Sequence, residues 1–221
     1  MGIILMTRIG DGGLNVSRVS LPCLRRAEQT MGMPAITRQA WTRAEVLALI
    51  DANPLHTPRY ELVDGELLVT PGPAGIHQKA VLQIILVLAP YLERTGVGEL
   101  LTSPSDVQLE PESLVQPDLY AVPPEEGRRL IAESPARDLL LAIEVVSPSS
   151  GRHDRGKKRA YYHRNVPEYW IFDTEARYVE RWLQNEERSE RLHDRLEWHA
   201  SGTAEPFVME LDRFFAKIYG E

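Results

Sequence analysis

Leu139-Leu140-Leu141-Ala142-Ile143-Glu144-Val145-Val146 is apolar at every position but one. A continuous apolar run of this length, flanked by polar and proline-containing segments, reads as a central strand buried on both faces. A carboxylate inside such a strand is costly unless something pairs with it. Two explanations fit Glu144. It is half of a structural ion pair with an arginine, or it is a metal ligand whose position the strand fixes.

Working outward, the loop Ser147-Pro148-Ser149-Ser150 leads into a helix expected from about residue 154 to 164. On that helix Asp154, Lys158 and Tyr162 share one face, because i and i+4 neighbours stack. The loop is short, so Lys158 can reach back to the end of the strand. Upstream, Asp118 follows Pro117 within the β-prone run 115–122 and would lie beside Glu144 if the two strands pair. Two carboxylates and a lysine are the minimum for metal-assisted phosphodiester hydrolysis. The carboxylates hold Mg²⁺, the metal polarises the phosphoryl oxygen and acidifies a bound water, and the ammonium orients the nucleophile or offsets charge.

The rest of the chain supplies a mixed α/β order. The first thirty-three residues show no sustained period and carry extra methionines, Met31 and Met33; they are expected to be a tail or an upstream extension, with the domain occupying 34–221. Thr42-Arg43-Ala44-Glu45 fits a capping box opening a short helix that ends near Asn53-Pro54. Asp64-Gly65 between Tyr60-Glu61-Leu62-Val63 and Glu66-Leu67-Leu68-Val69 signals a hairpin. Val81, Ile84, Ile85, Leu88 and Leu92 follow helical spacing, so 76–92 reads as the long amphipathic helix. Strands are expected at 99–102, 106–110, 115–122, 169–172 and 178–183, a charged loop at 185–195, and a last helix at 211–219. Trp170 and Trp182 fall in strands as core or interface residues.

Composition narrows the function classes. The chain has 221 residues, 43% hydrophobic and 26% charged, which suits an ordinary globular domain. The longest apolar stretch, Val81 to Ala89, is short of the roughly 20 residues a membrane span needs, and no signal peptide is evident. The single cysteine, Cys23, has no disulfide or CxxC partner, and a reducing cytoplasm is the expected location. A net charge of −7 argues against a constitutive DNA-coating protein. It leaves room for a nuclease with a local basic strip, here Arg152, Arg155, Lys157, Lys158 and Arg159, which reads equally well as a solvated helix face. There is no GxxxxGK[ST] loop and no G-x-S-x-G elbow, and the six histidines form no HExxH.

Several strings together resemble the Uma-two family of restriction endonucleases in the PD-(D/E)xK nuclease superfamily. They are Tyr60-Glu61-Leu62-Val63-Asp64-Gly65-Glu66-Leu67, His77-Gln78, Pro117-Asp118 and Ile143-Glu144-Val145-Val146-Ser147-Pro148-Ser149-Ser150. Asp154 with Lys158 and Tyr162, and Val166-Pro167-Glu168-Tyr169-Trp170-Ile171-Phe172-Asp173, complete the set in the family's order. The resemblance implies a restriction-endonuclease-like fold, a four-stranded mixed sheet flanked by helices, with an N-terminal β-hairpin. It implies Asp118 and Glu144 as ligands of Mg²⁺ or Mn²⁺, the carbonyl of Val145 as a third, and Glu61 as an additional acidic position. Val146 stands where the superfamily's lysine belongs, and Lys158 matches the lysine moved to the following helix. His77 matches a family position too, with a helix-capping or core role as the alternative.

The expected activity is divalent-metal-dependent endonucleolytic cleavage of DNA by a homodimer, with the hairpin 169–183 offering aromatic surface as an interface. The competing readings are a catalytically silent module that keeps the nuclease fold for binding, and a metal-dependent phosphohydrolase acting on nucleotides or RNA.

Overall fold

The computed structural model describes residues 4–9, 13–18, 40–53, 55, 57–70, 72, 75–146, 152–200, 203 and 205–221. The chain divides into two units, Met1–Arg38 and Gln39–Glu221. In the first, the described residues form an antiparallel hairpin of β1 (Ile4–Ile9) and β2 (Gly13–Arg18), in register from Ile4↔Arg18 to Ile9↔Gly13.

The second unit opens with α1 (Arg43–Asp51), whose Thr42 hydroxyl accepts from the Glu45 amide while the Glu45 carboxylate accepts from the Thr42 amide, the expected capping box. Strands β3 (Arg59–Val63) and β4 (Glu66–Thr70) form the expected hairpin. Asp64 and Gly65 both adopt positive φ, 50° and 74°, as a primed turn matched to strand twist requires. Then come α2 (Gly75–Thr95), β5 (Glu99–Thr102), β6 (Leu119–Val122), α3 (Pro124–Leu130), β7 (Leu141–Val146), α4 (Arg152–Asn165), β8 (Glu168–Asp173), β9 (Tyr178–Leu183), β10 (Glu190–Leu192), β11 (Arg195–Trp198), β12 (Phe207–Glu210) and α5 (Leu211–Tyr219). Thus the fold is the mixed α/β class expected from the sequence.

The main sheet has six strands rather than four, in the order β10-β9-β8-β7-β6-β5. Only β7 and β8 run parallel, joined by the α4 crossover, which is the strand–helix–strand unit read from the sequence. The extra strand at the β9 edge, β10, lies inside the charged segment expected to be a loop: its pairing needs only the backbone, so an exposed edge strand can be built from charged residues. Helix α3 and the β11–β12 pair were likewise hidden, being short and weakly patterned. Conversely, the strand expected at 106–110 is reduced to bridges at Val107, with Val115 and Ala136.

Side chains alternate across a strand, and β7 uses this to serve two cores. Leu141, Ile143 and Val145 pack with Ala80, Ile84, Leu88 and Leu92 of α2 and with Phe214, Phe215 and Ile218 of α5. Ala142 and Val146 pack on the other side with Tyr161 and Tyr162 of α4 and with Val166 just beyond it. Glu144 shares that second face by parity, so it is aimed at α4. Among the described residues α2 is the one helix long and apolar enough to cross a membrane; its buried stripe covers the sheet. Tyr169, Trp170, Ile171 and Phe172 are all buried in these two cores and β10 covers the outer edge of β9. Of the aromatic surface expected of the 169–183 hairpin, Tyr169, Trp170 and Phe172 are therefore inside the chain, and Tyr178 and Trp182 are half-buried.

Gly98, just before β5, illustrates how tightly the sheet end is packed. A Cβ there would lie 2.6 Å from the Val122 carbonyl oxygen and 2.8 Å from Leu140 Cδ1. Because one of these obstacles is backbone, Gly98→Ala should cost about 1–3 kcal/mol, read as a lowered denaturant midpoint with unchanged slope.

Candidate active site

Residues from the hairpin, the main sheet and α4 meet on the α4 side of the sheet. The register Leu119↔Ile143 in the antiparallel β6–β7 pair brings Asp118, just before β6, beside the end of β7. There Asp118 Oδ2 accepts a hydrogen bond from the Val145 amide at 2.8 Å. Nearly two turns into α4, Lys158 reaches back as its spacing suggested: Nζ lies 2.5 Å from Glu144 Oε1 and 2.9 Å from Glu61 Oε1. Glu61 comes from β3, which joins the unit through paired backbone bonds between Leu62 and Leu114 at 2.6 and 2.9 Å. The Gln116 amide also donates to Glu61 Oε1 at 2.8 Å. All four side chains, Glu61, Asp118, Glu144 and Lys158, are buried.

Two further residues complete the cluster. The Arg59 guanidinium donates to Asp118 Oδ1 at 3.1 Å and to the Gln116 carbonyl at 2.8 Å, with Nε 3.7 Å from Glu61 Oε2. His77, in the first turn of α2, places Nε2 2.9 Å from Asp118 Oδ2. A helix-capping or core role for His77 is thus not what the structure gives. Arg59 was not singled out from the sequence, although one signal was there: strand alternation puts residues 59 and 61 on one face. The Asp154 side chain and residues 147–151 lie outside the described residues.

The electrostatics follow from three acids and two permanent cations in a dry site. Burial pushes the Glu144 carboxyl up to about 8, and the neighbouring Asp118 and Glu61 charges push the same way against Lys158 and Arg59. Burial works against the Asp118 anion too, but the His77 hydrogen bond and the Arg59, His77 and Lys158 charges outweigh it and hold that carboxyl well below the usual range. Lys158 is desolvated, yet Glu144 and Glu61 raise its affinity for its proton. Glu144 is therefore the acid that carries the surplus proton when no other cation is present. The hydroxyl of Tyr162 is buried nearby without a hydrogen-bond partner, and its ionisation is opposed first by burial and then by Glu144 and Glu61.

Among the described residues no group of three or more His, Cys, Asp and Glu side chains is set as a complete metal cage. Such a cage is not needed for Mg²⁺, which keeps several waters and takes one or two carboxylates plus substrate oxygens. A carboxylate whose proton affinity burial has raised, next to an ionised one, is a donor pair that suits a divalent cation.

Among the described side chains of the basic strip on α4, Lys157, Lys158 and Arg159 each have a partner, while the side chains of Arg152 and Arg155 lie outside the described residues. Lys157 pairs with Glu66, Lys158 belongs to the cluster, and the Arg159 guanidinium lies 5.0 Å from the Trp182 ring centroid.

A family model described as Uma2, "Putative restriction endonuclease", matches residues 44–208. That span holds every residue of the cluster. A solved structure described as a "putative nuclease belonging to DUF820" from Anabaena variabilis has the same fold, with a TM-score of 0.59 at 14% identity. The likeness covers 73% of this chain and 92% of that one. No curated protein matches the sequence.

Proposed function

The chain belongs to the Uma2 family of restriction-endonuclease-like proteins, and on that footing we propose that it is a divalent-metal-dependent endonuclease acting on DNA. The observation that carries the reading is the convergence of Asp118, Glu144, Glu61 and Lys158 at the buried end of the central strand. Asp118 and Glu144 would hold Mg²⁺ or Mn²⁺, with the Val145 carbonyl as the further oxygen. When bound, the ion supplies Lewis-acid polarisation of the phosphate and a more acidic water. Lys158, anchored by Glu61, keeps its proton and presents a fixed positive charge beside the acids, suited to offsetting charge that develops on the phosphate. His77 and the Val145 amide fix the carboxylate plane of Asp118 by hydrogen bonds to one oxygen.

Cleavage of plasmid or oligonucleotide substrates should require Mg²⁺ or Mn²⁺ and fall by about 10³-fold or more in each of Asp118→Ala, Glu144→Ala and Lys158→Ala, because these groups act as a unit. Survival of cleavage in all three variants would refute the assignment.

A second reading is a nuclease fold kept for binding alone. It is favoured by the net charge of −7 and by the partners that Lys157, Lys158 and Arg159 already have within the chain, both poor for holding a polyanion. In that case metal would neither bind through Asp118 nor change the protein's affinity for its partner.

A further inference from the structure

We propose that Arg59 is the resident counter-ion of the site, occupying Asp118 until a divalent cation displaces it. This rests on Asp118 and Glu144 being the metal ligands. A charge count leads to it. Glu61, Asp118 and Glu144 carry three potential negative charges in one buried cluster, while Lys158 and Arg59 carry two positive ones.

The two cations are held differently. Lys158 is bracketed by Glu61 and Glu144 and is 6% exposed, so it is fixed in place. Arg59 is more open, with 16% of its side chain exposed. It spreads its bonds over one Asp118 oxygen, the Gln116 carbonyl and the hydroxyl of Ser103 at 3.5 Å, with Glu61 at the longer distance of 3.7 Å. Of the two, Arg59 is the one that can leave Asp118 without losing every partner.

Asp118 Oδ2 already accepts from His77 and the Val145 amide, whereas the described bond to Oδ1 comes from Arg59. A metal ion approaching Asp118 therefore competes with the guanidinium for Oδ1. Once displaced from Oδ1, that guanidinium is still held by the Gln116 carbonyl but has N–H donors to spare, and such donors recognise phosphodiester oxygens. Metal entry and phosphodiester capture are coupled through one side chain.

Mn²⁺ calorimetry on the full chain without nucleic acid tests this. Arg59→Gln should bind Mn²⁺ about tenfold more tightly than the native protein. Arg59→Lys keeps the charge but cannot span the same acceptors, and should fall between the two. Asp118→Asn should abolish binding. Affinities in Arg59→Gln and Arg59→Lys equal to or below the native value, with Asp118→Asn still abolishing binding, would overturn the counter-ion role and leave the metal assignment standing. No Mn²⁺ binding by any of these proteins would overturn both. Melting curves establish that each variant is folded, and Arg59→Lys alone decides the question if Arg59→Gln is not.

Discussion

Lys158→Met should destabilise the protein by about 3–5 kcal/mol, the loss typical when one partner of a buried ion pair is removed. The apolar stem is preserved, so the effect isolates the ammonium. Without it Glu61, which is fully buried, and Glu144, which is 7% exposed, face each other with Arg59 as the remaining nearby cation. The cost is the uncompensated charge rather than the lost bond, and that has a testable corollary. Adding Glu61→Gln to Lys158→Met removes the carboxylate left without its cation and should restore a large part of the stability, giving a coupling energy of about 1–3 kcal/mol in a double-mutant cycle. Equilibrium urea unfolding measures both. A loss below about 1 kcal/mol for Lys158→Met would mean that the amine is solvated and the site is not the dry cluster described.

Glu144→Gln should do the opposite to stability while removing cleavage. In the metal-free protein the Glu144 carboxyl titrates near 8, against an ordinary value of 4.5. Below 4.5 both the folded and unfolded chains hold this proton and the group contributes nothing. As pH rises from 4.5 to about 8 the unfolded chain gives the proton up while the folded one keeps it, so stability falls with rising pH across that window. The slope from this one group is at most about 1.4 kcal/mol per pH unit. Glutamine mimics the protonated acid, so Glu144→Gln should flatten the slope and gain roughly 3 kcal/mol at pH 7. Glu168 is also raised, by burial, and its slope has the same sign; the informative quantity is the difference between native protein and variant in EDTA. Identical pH profiles for the two would remove Glu144 as the protonated member of the cluster. A more stable but inactive variant is the pattern expected where function is maintained at a cost in stability.

The sequence made some levels of this structure legible and hid others, for physical reasons. Periodicity and turn chemistry act within a few residues, so the capping box at Thr42, the Asp64-Gly65 turn, α2 and the buried run of β7 could all be read directly. The odd glutamate in β7 announced a site because burying an acid demands compensation, and helix spacing then picked out Lys158 as a residue able to answer it. Glu61 was different. Its place beside Lys158 depends on the β3–β4 hairpin docking against the segment around Leu114, a long-range pairing that no local pattern encodes. Arg59 was missed for the same reason, and His77 could be placed by family resemblance but not given a partner until α2 and Asp118 were seen together. Edge strand β10 escaped because its charged side chains say nothing about its backbone pairing.

The central claim is that a divalent cation belongs between Asp118 and Glu144. Anomalous diffraction from Mn²⁺-soaked crystals tests it most directly. The expected result is a strong anomalous peak within coordination distance of both carboxylates, absent in Asp118→Asn crystals soaked identically. Full Mn²⁺ occupancy elsewhere on the chain with none at these two residues, the Lys158–Glu144 pair remaining closed, would contradict it.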